Sequence, residues 1–265
     1  MLIERLFFYD LMNQELPAML DVWQQTLHWQ PSDRQIAQYA QLYAAIIEGN
    51  QKQNLTRITA SDEFWEKHIW DSLLGIAPFL SADRFIKTLK SETNLDRPLN
   101  MIDIGTGAGF PGLPIAIAKP DWSVTMIDST RKKIRFIISA IAQLNLTNAQ
   151  AIAARAETLG QQAIHREQYD LALIRAVAQP AVCAEYILPF VKVGGYGILY
   201  RGHWEESDTE ALELAVEILG SNVAAVEQTI TPLSASIRHC IYLYKHSSTP
   251  SKFPRQVGIP NQQPL

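Results

Sequence analysis

The sequence has little cysteine, no long apolar run and no strong excess of charge, and each shortage removes a class of protein. Two cysteines in 265 residues, Cys183 and Cys240, cannot make a disulfide framework, and they lack the paired spacing of a zinc site. The six histidines are scattered, with no H-E-x-x-H arrangement, so no metal site is expected. No run of 18 apolar residues occurs, and the first residues lack a charged segment leading into an apolar core. A membrane span and a secretory leader are therefore not expected, and a reduced, cytoplasmic setting is. The sequons at Asn54 and Asn145 then mean nothing for glycosylation. A net charge of −4 argues against avid nonspecific nucleic-acid binding, which rests on neutralising phosphates. It leaves room for a local basic patch such as Arg131, Lys132, Lys133 and Arg135, whose simplest reading is the solvated face of a helix.

What is present is an ordinary globular composition, 47% hydrophobic and 19% charged, organised around residues 100–128. Met101, Ile102 and Ile104 form a short apolar run that carries one acid, Asp103. Gly105, Gly107, Gly109 and Gly112 follow at once, and 113–118 reads as an apolar helix. A second apolar run, 124–127, ends in Asp128, about 20 residues past the loop. Such glycines let a loop turn tightly and let a ligand approach backbone N–H groups at a helix N-terminus. An acid closing the second strand is placed to accept hydrogen bonds from ribose hydroxyls.

Gly107-x-Gly109-x-x-Gly112 matches the dinucleotide fingerprint, which alone discriminates weakly. Asp103 is the discriminating residue. A carboxylate at the mouth of the strand would repel a pyrophosphate but suit a ligand with a cationic amino-acid end, S-adenosylmethionine (SAM). Attraction or repulsion of this kind is about 4 kcal/mol at about 4 Å and an effective dielectric of about 20. A P-loop is excluded, because Leu113 stands where lysine is required. An NAD-dependent oxidoreductase is the rival from another class, and the chain has no Tyr-x-x-x-Lys pair to serve it. A tight turn without any ligand is the remaining alternative.

Residues 1–97 read as a helical N-terminal region. Ser32 and Gln35 form a capping box after Pro31, apolar residues recur at helical spacing over 36–47, and Gly49 marks the expected stop. A polar connector, 50–59, leads to a second helix that starts at Ser61 or Asp62 and ends before Pro78, and 90–99 reads as a linker. Over 98–246 apolar strands alternate with helical stretches, which predicts a parallel sheet covered on both faces. Strands are expected at 149–153, 171–174 and 196–200 and helices at 130–144, 180–190 and 205–219. Strands at 223–229 and 238–245 would close the sheet as a hairpin-like pair. Residues 247–265, rich in Ser, Pro, Gln and Lys, are expected to be a flexible tail.

Several segments together resemble a known family, the bacterial RsmG (GidB) methyltransferases. They are Asn54-Leu55-Thr56, Lys67-His68-Ile69-Trp70-Asp71-Ser72-Leu73, Ile102 to Gly112, Ile127-Asp128-Ser129, Arg155-Ala156-Glu157, Arg175-Ala176-Val177-Ala178 and Arg238-His239. The end of the chain, with Phe253-Pro254-Arg255 and Gly258-Ile259-Pro260, is similar as well. The glycine loop alone fits any SAM enzyme; the Lys-His-x-x-Asp-Ser and Arg-Ala-Val-Ala segments are much more specific. The resemblance implies an α/β fold of the Rossmann-like class I SAM-dependent type, a seven-stranded mostly parallel sheet with a helical N-terminal extension. It implies methyl transfer from SAM to N7 of a guanosine in 16S ribosomal RNA, on naked RNA or a 30S particle, by a protein expected to be a monomer. By position it places Gly105 and Phe110 along the cofactor and Asp128 at its ribose, and Asp103, Gly107, Ser129 and Thr130 beside them are expected to be cofactor-binding as well. Ala156 and Glu157 would flank the adenine, and Arg175 would bind cofactor and lie at the reaction centre as the catalytic residue. Arg201 stands where that family more often has lysine.

Guanine N7 carries a lone pair and no proton, so its methylation needs positioning and no general base. An Asn/Asp-Pro-Pro-Tyr motif for exocyclic amines is absent: the corresponding place reads Ile174-Arg175-Ala176-Val177. The two cysteines read as packed thiols rather than nucleophiles. Arg175 has two functional readings, pairing with the carboxylate of SAM or reaching O6 of guanine. His68 and Asp71, three apart, either approach the cofactor or form a local helix pair. Trp65, Trp70 and Trp204 could stack on a flipped base, though core packing is the commoner use, and Lys252 and Arg255 could meet phosphates. Two further readings keep SAM: another acceptor, or a silent ribosome-assembly factor.

Overall fold

The computed structural model describes residues 15–80 and 97–265, so most of the linker expected at 90–99 lies outside the described residues. After helix α1 (Leu20–Leu27), helix α2 (Asp33–Asn50) starts on the capping box that the sequence predicts. Ser32 N–H donates to Gln35 Oε1 at 2.8 Å, and Gln35 N–H reaches Ser32 Oγ at 3.4 Å. The same glutamine amide also donates to the carbonyls of Ile117 and Ala118, each at 3.0 Å, so a local cap doubles as a tie to the central unit. Gly49 does not stop α2. A Cβ there would lie 2.6 Å from Leu55 and 2.8 Å from Phe136, so this glycine serves close packing inside the helix.

Helix α3 (Ser61–Phe64) passes into a π-helical turn (Trp65–Trp70) and then α4 (Asp71–Leu74). Such wide turns are uncommon and frequent at functional sites. Pro78 sits in the first turn of α5 (Ala77–Leu80) rather than after a helix, where its missing N–H costs nothing.

The rest follows the expected alternation: β1 (Asn100–Ile104), α6 (Gly112–Ala118), β2 (Ser123–Asp128), α7 (Arg131–Gln143), β3 (Ala149–Ala153) and α8 (Ala156–Leu159). Then come β4 (Tyr169–Arg175), α9 (Pro180–Ile187), β5 (Val191–Arg201), α10 (Glu206–Ile218), β6 (Ser221–Ile230), β7 (Ile237–Lys245) and α11 (Ile259–Gln262). The sheet has seven strands in the order β3-β2-β1-β4-β5-β7-β6, parallel except for the pairings of β7 with β5 and β6. This is the class I methyltransferase arrangement that the resemblance implies. Central strands β1, β2 and β4 are buried almost throughout, as parallel strands covered on both faces must be.

One face of the sheet shares its core with the N-terminal helices: Trp23, Ile46, Trp65 and Trp70 join Met101, Val124 and Tyr242. The other face packs Ile102, Val182, Ile187, Leu212 and Phe253. Trp65 and Trp70 are fully buried and Trp204 nearly so, which removes all three as stacking platforms. Residues 247–265 are not a loose tail here. Phe253 and Pro260 are buried, and Arg255 pairs with the buried Glu185, which removes it as a phosphate contact.

Candidate active site

The strand order reverses between β1 and β4, and the crevice at the carboxyl ends of the strands beside such a reversal is where open α/β sheets bind ligands. Several of the site residues read from the sequence lie along that edge. Gly105 and Gly107 follow β1, Asp128 ends β2, Ala156 and Glu157 open α8 after β3, and Arg175 ends β4.

The loop between β1 and α6 is held from two sides. Asp128 accepts the Gly107 N–H at 3.1 Å on one oxygen and the Thr130 N–H at 2.7 Å on the other. Lys133 Nζ lies 3.9 Å from the first of these oxygens. Gly107 has a φ of +62°, and a Cβ there would meet nothing nearer than 4.0 Å. Backbone alone therefore lines that side of the loop, as the close approach of a ligand requires. Gly105, at φ +70°, is constrained instead by Val177, whose methyl would lie 2.7 Å from an added Cβ.

Asp103 is placed differently from its expected position at the mouth of the strand. It has no exposed surface, and Oδ2 accepts the Gly112 N–H at 2.9 Å, so it braces the loop from beneath. Burial pushes its carboxyl up to about 6, against the Thr106 hydroxyl, the Gly112 N–H and the charge of Arg175. At ordinary hydrogen-bond geometry, Asp103 Oδ1 and Thr106 Oγ1 have no partner.

Beside the loop, a cleft of about 490 Å³ opens between the π-helical turn and the ends of β4, β5 and β7. Its charged lining is Lys67, Asp71, Arg175, Arg201 and Arg238. Arg175 donates from Nη1 to Asp71 Oδ2 at 2.8 Å and to the Lys67 carbonyl at 3.0 Å. Arg238 Nε approaches the other oxygen of Asp71 at 3.3 Å. One carboxylate thus bridges two guanidinium groups, from the end of β4 and the start of β7. The Arg175 guanidinium lies 5.8 Å from the centre of the Phe110 ring, so it stands between the glycine loop and the cleft. Arg201 Nη2 donates to the Ala178 carbonyl at 2.6 Å and approaches Cys183 Sγ at 3.2 Å. Burial raises that thiol above its usual range, consistent with a packed cysteine.

Of the two readings for His68 and Asp71, the structure shows both residues at the site. The His68 ring stacks on Phe110 at 4.4 Å and an interplanar angle of 12°, and its Nε2 bonds Thr56 Oγ1 at 2.7 Å. Its Nδ1 is buried without a partner, so protonation would place an uncompensated charge there. Burial first, then the charges of Arg175 and Lys67, lower its pKa from 6.5 to about 3. Between those values the unfolded chain binds the proton and the folded chain does not, so His68 makes stability rise with pH from about 3 to 6.5. Asp103 opposes this, binding its proton more tightly when folded between 3.8 and about 6. The two cancel between 3.8 and about 6, so the net rise is confined to the flanks of the His68 window, below 3.8 and above about 6, at about 1.4 kcal/mol per pH unit for one proton. His68→Gln should leave the Asp103 term alone, so that stability falls between pH 4.5 and 7 where that of the unaltered protein rises slightly. Urea midpoints at pH 4.5 and 7 test this, and equal acid sensitivity in the two proteins would dispose of the assignment.

Comparison with known proteins decides the family. Residues 35–240 match the family model of rRNA small subunit methyltransferase G, GidB. The chain belongs to this family. The ribosomal RNA small subunit methyltransferase G of Trichormus variabilis is 53% identical over 254 residues, covering 96% of this chain and all of that one. The Gloeobacter violaceus protein of the same name is 49% identical, covering 92% of this chain and 91% of its own length. A solved 16S rRNA (adenine(1408)-N(1))-methyltransferase from Catenulisporales acidiphilia, a variant, aligns at TM-score 0.49 and 16% identity, over 58% of this chain and 88% of that one. Family membership makes this chain a methyltransferase and removes the NAD-dependent oxidoreductase reading.

Sequence reasoning missed the bridging part of Asp71, and it gave Arg238 and Lys67 no role. The signal was available in the Lys67-His68-x-x-Asp71 and Arg238-His239 segments, which converge on one cleft from opposite ends of the chain. Glu66 was also missed. It is buried and accepts the N–H groups of Leu233 and Ser234, tying the turn between β6 and β7 to the π-helical turn.

Proposed function

We propose that the protein transfers a methyl group from SAM to N7 of a guanosine in 16S ribosomal RNA, in the cytoplasm. The observation that carries this is Arg175: it joins the glycine loop, through Phe110, to a cleft walled by Lys67, Arg201 and Arg238. SAM, when bound, supplies an electrophilic methyl on a sulfonium. Gly105, Gly107 and Phe110 would line it, and Asp128, with Ser129 and Thr130 at the start of α7, would hold its ribose. Ala156 and Glu157 would flank its adenine, and the open backbone at Gly107 supports such a fit. Asp103 would act from beneath, by fixing the loop.

The cleft would take the guanine and its flanking phosphates. A basic lining inside a chain of net charge −4 suits a shaped RNA target better than nonspecific binding. Arg175, held by Asp71 and the Lys67 carbonyl, would present its remaining N–H groups to the base, leaving N7 free for attack. No proton has to be removed, and no residue in the cleft needs to act as a base.

The test is transfer of labelled methyl from SAM by the purified protein to 30S subunits from a strain lacking the gene, with mass spectrometry of the digested RNA. A single new N7-methylguanosine is the expected product. Labelling of another base or of protein, or none at all, would refute the proposal.

A further inference from the structure

The end of the chain is held by side chains that a loose tail would not need. Arg166 donates from Nη1 to the Phe253 carbonyl and from Nη2 to the Thr249 carbonyl, each at 2.7 Å. Gln161 Nε2 reaches the Pro254 carbonyl at 2.7 Å. Arg255 then clasps Glu185, a residue with no exposed surface, through Nη2 at 2.6 Å and Nε at 3.0 Å. The Arg255 backbone N–H adds a further bond to the same carboxylate at 2.8 Å. A buried carboxylate is tolerated only when its charge and lone pairs are met, and here the terminal segment meets them. Three residues later the chain turns at Gly258, φ +87°, and its N–H donates to Glu157 Oε1 at 3.1 Å. Glu157 is itself buried, at the edge of the sheet where the adenosine end of SAM is placed above.

We propose that the C-terminal segment is part of the cofactor site: anchored by Arg255 on Glu185, it positions Glu157 for the adenosine of SAM. This rests on the reading of Glu157 given under the proposed function. A glutamate on a solvated loop would lose rotamer freedom on meeting a ligand, whereas one already held by a backbone N–H has little left to lose. Burial, and then the charge of the same carboxylate nearby, raise the Tyr186 hydroxyl above its usual range. Arg255 and Gly258 are positioning residues in this arrangement, acting through Glu157 without touching the ligand.

Calorimetric titration of the full-length protein with SAM and with methylthioadenosine, which keeps the adenosine and lacks the amino-acid end, tests the proposal. Arg255→Gln should weaken both ligands about tenfold, and Arg255→Lys should recover part of the loss. Arg255→Gln combined with Glu157→Gln should bind no more weakly than the weaker single variant, because both remove one contact. If Arg255→Gln does not fold, Gly258→Ala, which strains the turn and displaces its N–H, should weaken both ligands severalfold. Unchanged affinity in a folded variant, or additive losses in the pair, would overturn the proposal. Failure of the unaltered protein to bind SAM would instead remove the cofactor reading beneath it.

Discussion

Arg175→Ala is expected to slow methyl transfer to 30S subunits by about 10²- to 10³-fold, the range found when one preorganised donor is removed from a reaction centre. The size of the effect follows from how firmly the side chain is placed. Asp71 and the Lys67 carbonyl fix Nη1, and the Phe110 ring limits the other side of the guanidinium. Arg175→Lys should recover little, because an ammonium presents no planar fork to a base edge or a carboxylate. Asp71→Asn should cost less than Arg175→Ala, since Arg175 keeps the Lys67 carbonyl and a neutral oxygen. Breaking a buried pair can cost about 3–5 kcal/mol of stability, but Asp71 retains Arg238 at 3.3 Å, so the loss for Arg175→Ala should be smaller. Single-turnover transfer at saturating SAM, beside thermal melts, separates the two effects. A folded Arg175→Ala protein with an unaltered rate would leave this residue with no part in the reaction and would favour the assembly-factor reading.

Much of this architecture was legible from local pattern. The apolar runs within β1, β2 and β4 reflect a sheet covered on both faces, so the existence and sequence of these strands followed from alternation, although β4 begins at Tyr169, two residues before the expected start. The Ser32 capping box was legible because both partners lie within four residues. Long-range charge pairing was not. Asp71 meets Arg175 and Arg238 across more than a hundred residues, and no periodicity in the sequence encodes that approach. The end of the chain misled for a related reason. Ser, Pro and Gln signal weak capacity to build a core, yet 247–265 needs none of its own. It borrows the carboxylates of Glu185 on α9 and Glu157 on α8 and the donors of Arg166, in the turn before β4. Asp103 misled in the opposite direction. Its position in the motif suggested a charge facing a ligand, whereas its burial makes it the support of the loop and raises its carboxyl to about 6.

Asp128 is the second residue whose loss should be severe. Asp128→Ala is expected to raise the dissociation constant of SAM by about 100-fold or more, the equivalent of two hydrogen bonds to a charged group. Two losses coincide at this position. The carboxylate would no longer meet the ribose, and the Gly107 and Thr130 N–H groups it now holds would be released together. Thr130 stands at the N-cap position of α7 without a side-chain cap bond, and the first turn carries Arg131, Lys132 and Lys133 and no acid. Asp128 therefore sets a negative charge beside a helix N-terminus crowded with positive ones, where an acid is favoured. Asp128→Asn keeps one acceptor oxygen but turns an amide donor toward an N–H, so its affinity should fall between the two. The measurement is titration with SAM of variants shown to be folded by circular dichroism. Methylthioadenosine should suffer as SAM does, since the loss concerns the ribose and the loop. If Asp128→Ala bound both ligands as tightly as the unaltered chain, the ribose would lie elsewhere and the loop would be held well enough by Asp103 alone.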